Sequence, residues 1–216
     1  MYQYILFDLD GTLTDPKIGI TSCVQYALHK LGIEEPDLDE LEPFIGPPLT
    51  DSFREFYGFD DETVQQAVIY YRERFSTVGL FENDIYPGIA QMLERLKQAG
   101  RRLAVASSKP TVFVKQILEH FEILSYFDVV VGSELDGTRV KKEEVVEEAL
   151  RQLLCDGNGH DIVMVGDRKF DVEGAKAYGI DSIGVAYGYA ACGELEEAGA
   201  DVIVDTVEEL EKALWR

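Results

Sequence analysis

Two hydrophobic rhythms divide the chain. Tyr4 to Phe7 is an unbroken run of apolar or aromatic residues, which predicts a strand buried on both faces at the very start. From Pro16 to Asp84 the rhythm is helical. Ile20, Val24, Ala27, Leu28 and Leu31 recur at the spacing of one helix face and Gly32 stops that helix. Further helices are predicted over 37–44, 49–57 and 61–77, with Gly46-Pro47-Pro48 as a break, so the segment reads as a small helical bundle.

From Ile85 onward short apolar runs alternate with amphipathic helices. Strands are predicted at 103–106, 129–131, 162–165, 183–186 and 202–204. Helices are predicted through Ile89, Met92, Leu93 and Leu96, over 111–120, through Val145, Val146, Ala149, Leu150, Leu153 and Leu154, over 171–178 and over 207–214. Continuous apolar strands separated by helices argue an α/β fold with a Rossmann-like parallel sheet covered on both faces. Residues 1–15 and 85–216 then form the core, and 16–84 an inserted helical domain. In such a sheet a ligand sits beyond the carboxyl ends of the strands, so the residues just after each strand carry the chemistry.

Beyond the first strand come Asp8 and Asp10, one residue apart and therefore on one side. Like charges held this close need a cation or a proton to neutralise them. Gly11 permits the following turn, and Thr12 adds a hydroxyl and an N–H. After strand 103–106, Ser107 and Ser108 offer hydroxyl and backbone donors to a phosphate, although such a pair also serves as an ordinary helix cap. Lys141 and Lys142 open a helix, where the dipole opposes a cation. An ammonium directed at the carboxylates would keep them ionised, and the register before Val145-Val146 favours Lys142 for that task. After strand 162–165, Asp167 and Asp171 stand four residues apart and can face one cation from a single loop. Oxygen-only ligands select a hard ion, here Mg²⁺.

Composition narrows the partners. The 216 residues include 41 acids against 20 bases, a formal charge of −21, which argues against a nucleic-acid polymer or an anionic membrane surface. A small phosphorylated substrate remains compatible, because a divalent cation overrides the global field locally. The acidic runs 37–40, 194–197 and 208–211 read as solvated helix faces. Cys23, Cys155 and Cys192 are scattered, and neither a basic leader nor an apolar run of membrane-spanning length is present, so a cytoplasmic setting is expected. Oligomeric state is not legible.

The string Asp8-Leu9-Asp10-Gly11-Thr12-Leu13-Thr14-Asp15, the strand ending on Ser107, Lys142, and Gly166-Asp167-Arg168-Lys169-Phe170-Asp171 follow one another in the order of the haloacid dehalogenase superfamily motifs. The chain resembles its phosphatases with a helical cap inserted after the first motif. Strings such as Tyr86-Pro87-Gly88-Ile89 and Val185-Ala186-Tyr187-Gly188-Tyr189-Ala190 are similar to the phosphoglycolate phosphatase-like branch and its bacterial 5′-nucleotidase-like members. One departure is Lys141-Lys142-Glu143-Glu144, where many relatives have Lys-Pro-x-Pro.

The resemblance implies an aspartyl-phosphate on Asp8, with Asp10 as general acid and base and Lys142 neutralising charge. Mg²⁺ would be held by Asp8, the Asp10 carbonyl, Asp167 and Asp171, and the phosphoryl oxygens by Ser107, Ser108, Gly11 and Thr12. It also implies that 16–84 forms a lid hinged near Thr14-Asp15 and Glu82 to Tyr86. Lys17, Arg54 and Arg72 are its candidate contacts to substrate, and Phe44 and Tyr57 its candidate stacking surfaces. Nucleoside 5′-monophosphates are the expected substrates. Phosphoglycolate, a phosphomutase reaction and a non-enzymatic phosphate- or Mg²⁺-binding switch are the alternatives.

Overall fold

The computed structural model describes residues 2–153 and 161–215, so Leu154 and Cys155 lie outside the described residues. In chain order, β1 (Tyr4–Phe7) and the short β2 (Thr14–Asp15) lead to α1 (Lys17–Lys30), α2 (Leu49–Tyr57) and α3 (Asp61–Arg74). Then come β3 (Asp84–Ile85), α4 (Ile89–Gln98), β4 (Arg102–Pro110), α5 (Thr111–His120), β5 (Val129–Ser133) and α6 (Lys142–Leu153). The remainder is β6 (Ile162–Gly166), α7 (Lys169–Ala177), β7 (Asp181–Val185), α8 (Glu194–Ala198), β8 (Val202–Val204) and α9 (Val207–Leu214). Two compact units result: Met1–Asp15 with Ile85–Arg216, and Pro16–Asp84. Among the described residues no helix is long and apolar enough to cross a membrane.

The larger unit is built on a six-stranded sheet in the order β5-β4-β1-β6-β7-β8, parallel throughout. Its interior strand β1 pairs on both sides, Leu6 opposite Ala104 and Met164. This double pairing is why Ile5, Leu6 and Phe7 are fully buried and why the sequence there shows no alternation. On one face Leu6, Ala104, Val131 and Met164 pack beneath Val145, Val146 and Ala149 of α6 and Ala175 of α7. Leu150 is only partly buried at the edge of that cluster. The strand order reverses at β1, so the crevice beyond its carboxyl end is where this topology places a ligand.

In the smaller unit the apolar stripe Ile20, Val24, Ala27 and Leu28 is buried, as are Val64, Ala67 and Tyr71 of α3, against which α1 packs. The stretch expected as a helix over 37–44 is a 3₁₀ helix, Asp39–Phe44, with Pro43 inside it; proline has no N–H to give to an α-helical ladder. α3 ends at Arg74 and passes into a π-helical turn, Phe75–Gly79. A third difference lies in β4, which runs to Pro110 instead of ending at Ala106. Its register against β5 shifts between Ala106 and Pro110. The apolar run ends at Ala106 while the backbone ladder continues, so apolarity alone marked the strand as too short.

Because Leu6 lies at the centre of sheet and core, Leu6→Ala should lower unfolding free energy by about 3 kcal/mol. Urea denaturation should show a lower midpoint with an unchanged slope.

Candidate active site

The site starts where β1 stops. Asp8 still joins the ladder, its N–H donating to the Val165 carbonyl at 2.8 Å. The chain then coils tightly: Leu13 and Thr14 both donate to the Leu9 carbonyl, at 2.9 and 3.0 Å, and Gly11 donates to Thr14. Gly11 has φ +77°, and a Cβ there would lie 2.1 Å from Asp167 Oδ2. Only glycine allows the β1 loop and the β6 loop to approach this closely.

From the end of β6, Asp167 points at that loop. Its Oδ2 accepts from the Tyr189 N–H at 2.8 Å, and Thr12 Oγ1 lies 3.4 Å from Oδ1. Asp171, the third residue of α7, turns back to accept from the Arg168 N–H at 3.0 Å. That bond caps the helix and leaves the other carboxylate oxygen facing Lys142. Among the described residues Asp8, Asp167 and Asp171 are the one group that could hold a metal ion, each offering an oxygen within 4.8 Å of the others.

Lys142, the first residue of α6, is buried and reaches into this group. Its Nζ lies 3.0 Å from Asp8 Oδ1 and 2.7 Å from Asp171 Oδ1, and it donates to the Ala106 carbonyl at 3.0 Å. Its neighbour Lys141 is exposed. The two ion pairs are close but not aligned as hydrogen bonds, which leaves Asp8 Oδ1 and Asp171 Oδ1 as buried acceptors without an aligned donor. Burial alone would lower the Lys142 pKa; Asp171 and Asp8 outweigh it and raise it.

The carboxylates show the strain of the arrangement. Burial, reinforced by Asp171 and Asp8, pushes Asp167 well above the ordinary carboxyl range. Burial likewise pushes Asp171 up to about 6, against the pull of Lys142. Asp10 is also raised by burial, with Lys109 opposing. The cluster is short of positive charge, and its donor set is entirely oxygen. That is the environment a hard divalent cation suits.

The other expected residues divide. Ser107 is buried, and its Oγ accepts from the Lys109 N–H at 3.3 Å. Ser108 is held through its carbonyl, which accepts from Ser133 Oγ at 2.8 Å. The Asp10 carboxylate stands outside the three-carboxylate group and pairs with Lys109. In the helical unit, Lys17 is paired with Asp39 and Glu42, and Arg54 with Asp61 and Asp51, so the structure places both cations on carboxylates of their own unit. Arg72 is half-buried, and that burial lowers its pKa. Phe44 and Tyr57 belong to an aromatic cluster with Phe53, Phe56 and Phe59.

Three residues were not singled out from the sequence. Lys109 pairs with Asp10. Tyr189 gives its N–H to Asp167 and its hydroxyl to Asp15, while Tyr187 donates to the Thr12 carbonyl at 2.9 Å. Glu194, expected on a solvated face, instead has a side chain only 10% exposed. It accepts from Arg168 Nε and from the Lys169 and Ala191 N–H groups, tying α8 to the loop between Asp167 and Asp171. Three donors converging on one carboxylate explain why it is not at the surface.

The family model for haloacid dehalogenase-like hydrolases matches residues 5–185. A protein of Pseudomonas aeruginosa named 5′-nucleotidase is 50% identical over 197 residues, covering 90% of this chain and 87% of that protein. A Mycobacterium tuberculosis protein named tyrosine-protein kinase PtkA is 39% identical over 214 residues, covering 98% of this chain and 72% of that protein. The crystal structure of a "predicted phosphatase" from Clostridium acetobutylicum matches with a TM-score of 0.95 at 50% identity, covering 100% of this chain and 99% of that one.

The Asp171 shift has a measurable sign. With its folded pKa raised to about 6 from 3.8, the folded chain holds a proton through that window that the unfolded chain has lost. Stability from this group is therefore lost as pH rises from about 4 to 6. Asp171→Asn, always neutral, should gain steadily on the wild type as pH rises from about 4 to 7. Urea denaturation with chelator present tests this, and a stability difference flat with pH would contradict it.

Proposed function

The chain belongs to the haloacid dehalogenase-like hydrolases, and from that premise we propose that it is a phosphatase, a phosphomonoester hydrolase that works through a covalent intermediate on Asp8. The observation that carries this reading is the pairing of buried Asp8 with buried Lys142 at the end of β1. The ammonium offsets the charge of the carboxylate and would offset that of a phosphoryl group arriving beside it.

In the first half-reaction an Asp8 oxygen attacks phosphorus, the bond from phosphorus to the ester oxygen breaks, and Asp10 protonates the departing alkoxide. In the second, Asp10 takes a proton from water as the water oxygen attacks phosphorus and Asp8 leaves, releasing inorganic phosphate. Lys142 offsets charge on Asp8 and on the phosphoryl oxygens, and Ser107 Oγ donates to one of them. The three clustered carboxylates fit Mg²⁺, since two carry a buried oxygen without an aligned donor. Asp8, Asp167 and Asp171 would hold it together with the Asp10 carbonyl, and when bound it supplies further neutralisation of phosphoryl charge.

For substrate, nucleoside 5′-monophosphates are the choice best supported, by the extent of identity to the relative named 5′-nucleotidase. Residues 16–84 are proposed as the cap domain of this architecture, inserted between β2 and β3.

Across a panel of phosphomonoesters the protein should release phosphate with Mg²⁺ present and turn over nucleoside 5′-monophosphates. Asp8→Asn should lose activity by about 10⁴-fold or more while remaining folded. Good turnover of phosphoglycolate with none of any nucleotide would replace the substrate choice. In the absence of substrate, Mg²⁺ should raise the melting temperature of the wild type and not that of Asp167→Asn.

A further inference from the structure

We propose that Lys109 is the positioning residue of Asp10, fixing the carboxylate that handles the leaving-group and water protons. The inference rests on the phosphatase reading above for the role of Asp10. Its own basis is geometric. Lys109 Nζ lies 2.6 Å from Asp10 Oδ2 and 2.8 Å from Oδ1, so one ammonium spans both oxygens. The two side chains are 7% and 10% exposed, and among the described residues Lys109 gives Asp10 its only side-chain hydrogen bond. Removing the ammonium would leave that carboxylate with nothing to set its rotamer.

The base from which Lys109 projects is itself fixed. Past Ala106, β4 and the first residue of α5 are both pinned to β5: Ser133 Oγ donates to the Ser108 carbonyl at 2.8 Å, and the Gly132 N–H donates to Thr111 Oγ1 at 3.0 Å. A Cβ on Gly132 would stand 2.2 Å from the Lys109 carbonyl oxygen and 2.7 Å from the Thr111 nitrogen. β5 therefore presses directly on the backbone that carries the ammonium. A long side chain anchored this way, with its head buried, defines one position for its partner. A buried pair of this kind adds little net stability, and fixing geometry is a use that accounts for it.

The site thus assigns one lysine to each member of the first carboxylate pair. Lys142, from the start of α6, faces Asp8; Lys109, from the end of β4, holds Asp10. Proton transfer to a leaving group depends on placement, and misplacement by about an ångström costs on the order of a hundredfold. The cost falls on esters whose leaving group needs the proton.

The test is the leaving-group dependence of kcat/KM for a series of substituted phenyl phosphates, from the nitrophenyl to the unsubstituted phenyl ester. In this series kcat/KM reports the steps up to phosphoryl transfer to Asp8, and substrate contacts remote from the phosphate stay nearly constant. Lys109→Met should lose at least about tenfold more on phenyl phosphate than on nitrophenyl phosphate, because nitrophenolate departs without a proton. Lys109→Arg should recover part of that gap. Gly132→Ala, which displaces the Lys109 backbone without removing its charge, should show the same steepening and decides the question if Lys109→Met does not fold. Parallel dependences in variant and wild type, or losses below that gap, overturn the inference. Wild-type turnover of both esters, abolished by Asp8→Asn, is measured first; its failure would count against the phosphatase reading and not against the role of Lys109.

Discussion

Burying carboxylates is the constraint on which the rest of the site depends. Asp8, Asp10, Asp167 and Asp171 are all nearly inaccessible to water, and the protein sets two buried ammonium groups against them. Desolvation drives a carboxylate to take up a proton, and the pKa values of Asp167, and of Asp171 despite its pairing with Lys142, are raised accordingly. Features that look locally unfavourable follow from this demand. A lysine opens α6 against the helix dipole because its partners lie in that direction. β4 runs past its apolar residues because its continuation delivers the second ammonium.

The sheet makes such crowding possible. With β1 between β4 and β6, loops from both neighbours converge beyond its end, and the turn at Gly11 lets the Asp167 carboxylate come up against the first loop. Behind them sits a layer that touches none of the proposed reacting atoms. Tyr189 holds Asp167 through its backbone N–H, and Glu194 gathers three donors from the Asp167 to Asp171 loop and its own approach. A metal-type cluster without such backing would spread apart under its own repulsion.

What the sequence made legible was what pattern encodes. The carboxylate pairs stood at the ends of apolar runs, and the Val145, Val146 and Ala149 stripe placed Lys142 on the inward side of its helix. Lys109 was not read because the strand was judged to end with its apolar residues. A period-two extension from Ser107 would have put Lys109 on the same side. Tyr189 contributes a backbone group that every residue but proline owns, so no residue-type signal points to it. Glu194 sat within an acidic run, and only tertiary contacts distinguish it from the exposed Glu196 and Glu197. The helical unit is legible as a fold but less so as a surface, since Lys17 pairs with Asp39 and Glu42, and Arg54 with Asp61, across turns that spacing does not connect.

The central position of β1 also bears on how the molecule assembles during synthesis. β1 precedes both of its neighbours in the chain, and Tyr4 lies opposite Arg102 and Ile162, so the strand's edges stay open until β4 and β6 have followed. Residues 16–84 draw on contacts close in sequence and can fold while β1 waits. Asp10 gains Lys109 before Asp8 gains Lys142 in the order of translation, and a nascent chain stopped before α6 holds Asp8 without its ammonium. Contacts of such long range make strand pairing at β1 slow relative to helix formation. The unpaired apolar strand is the segment of this chain that a chaperone has most reason to shield.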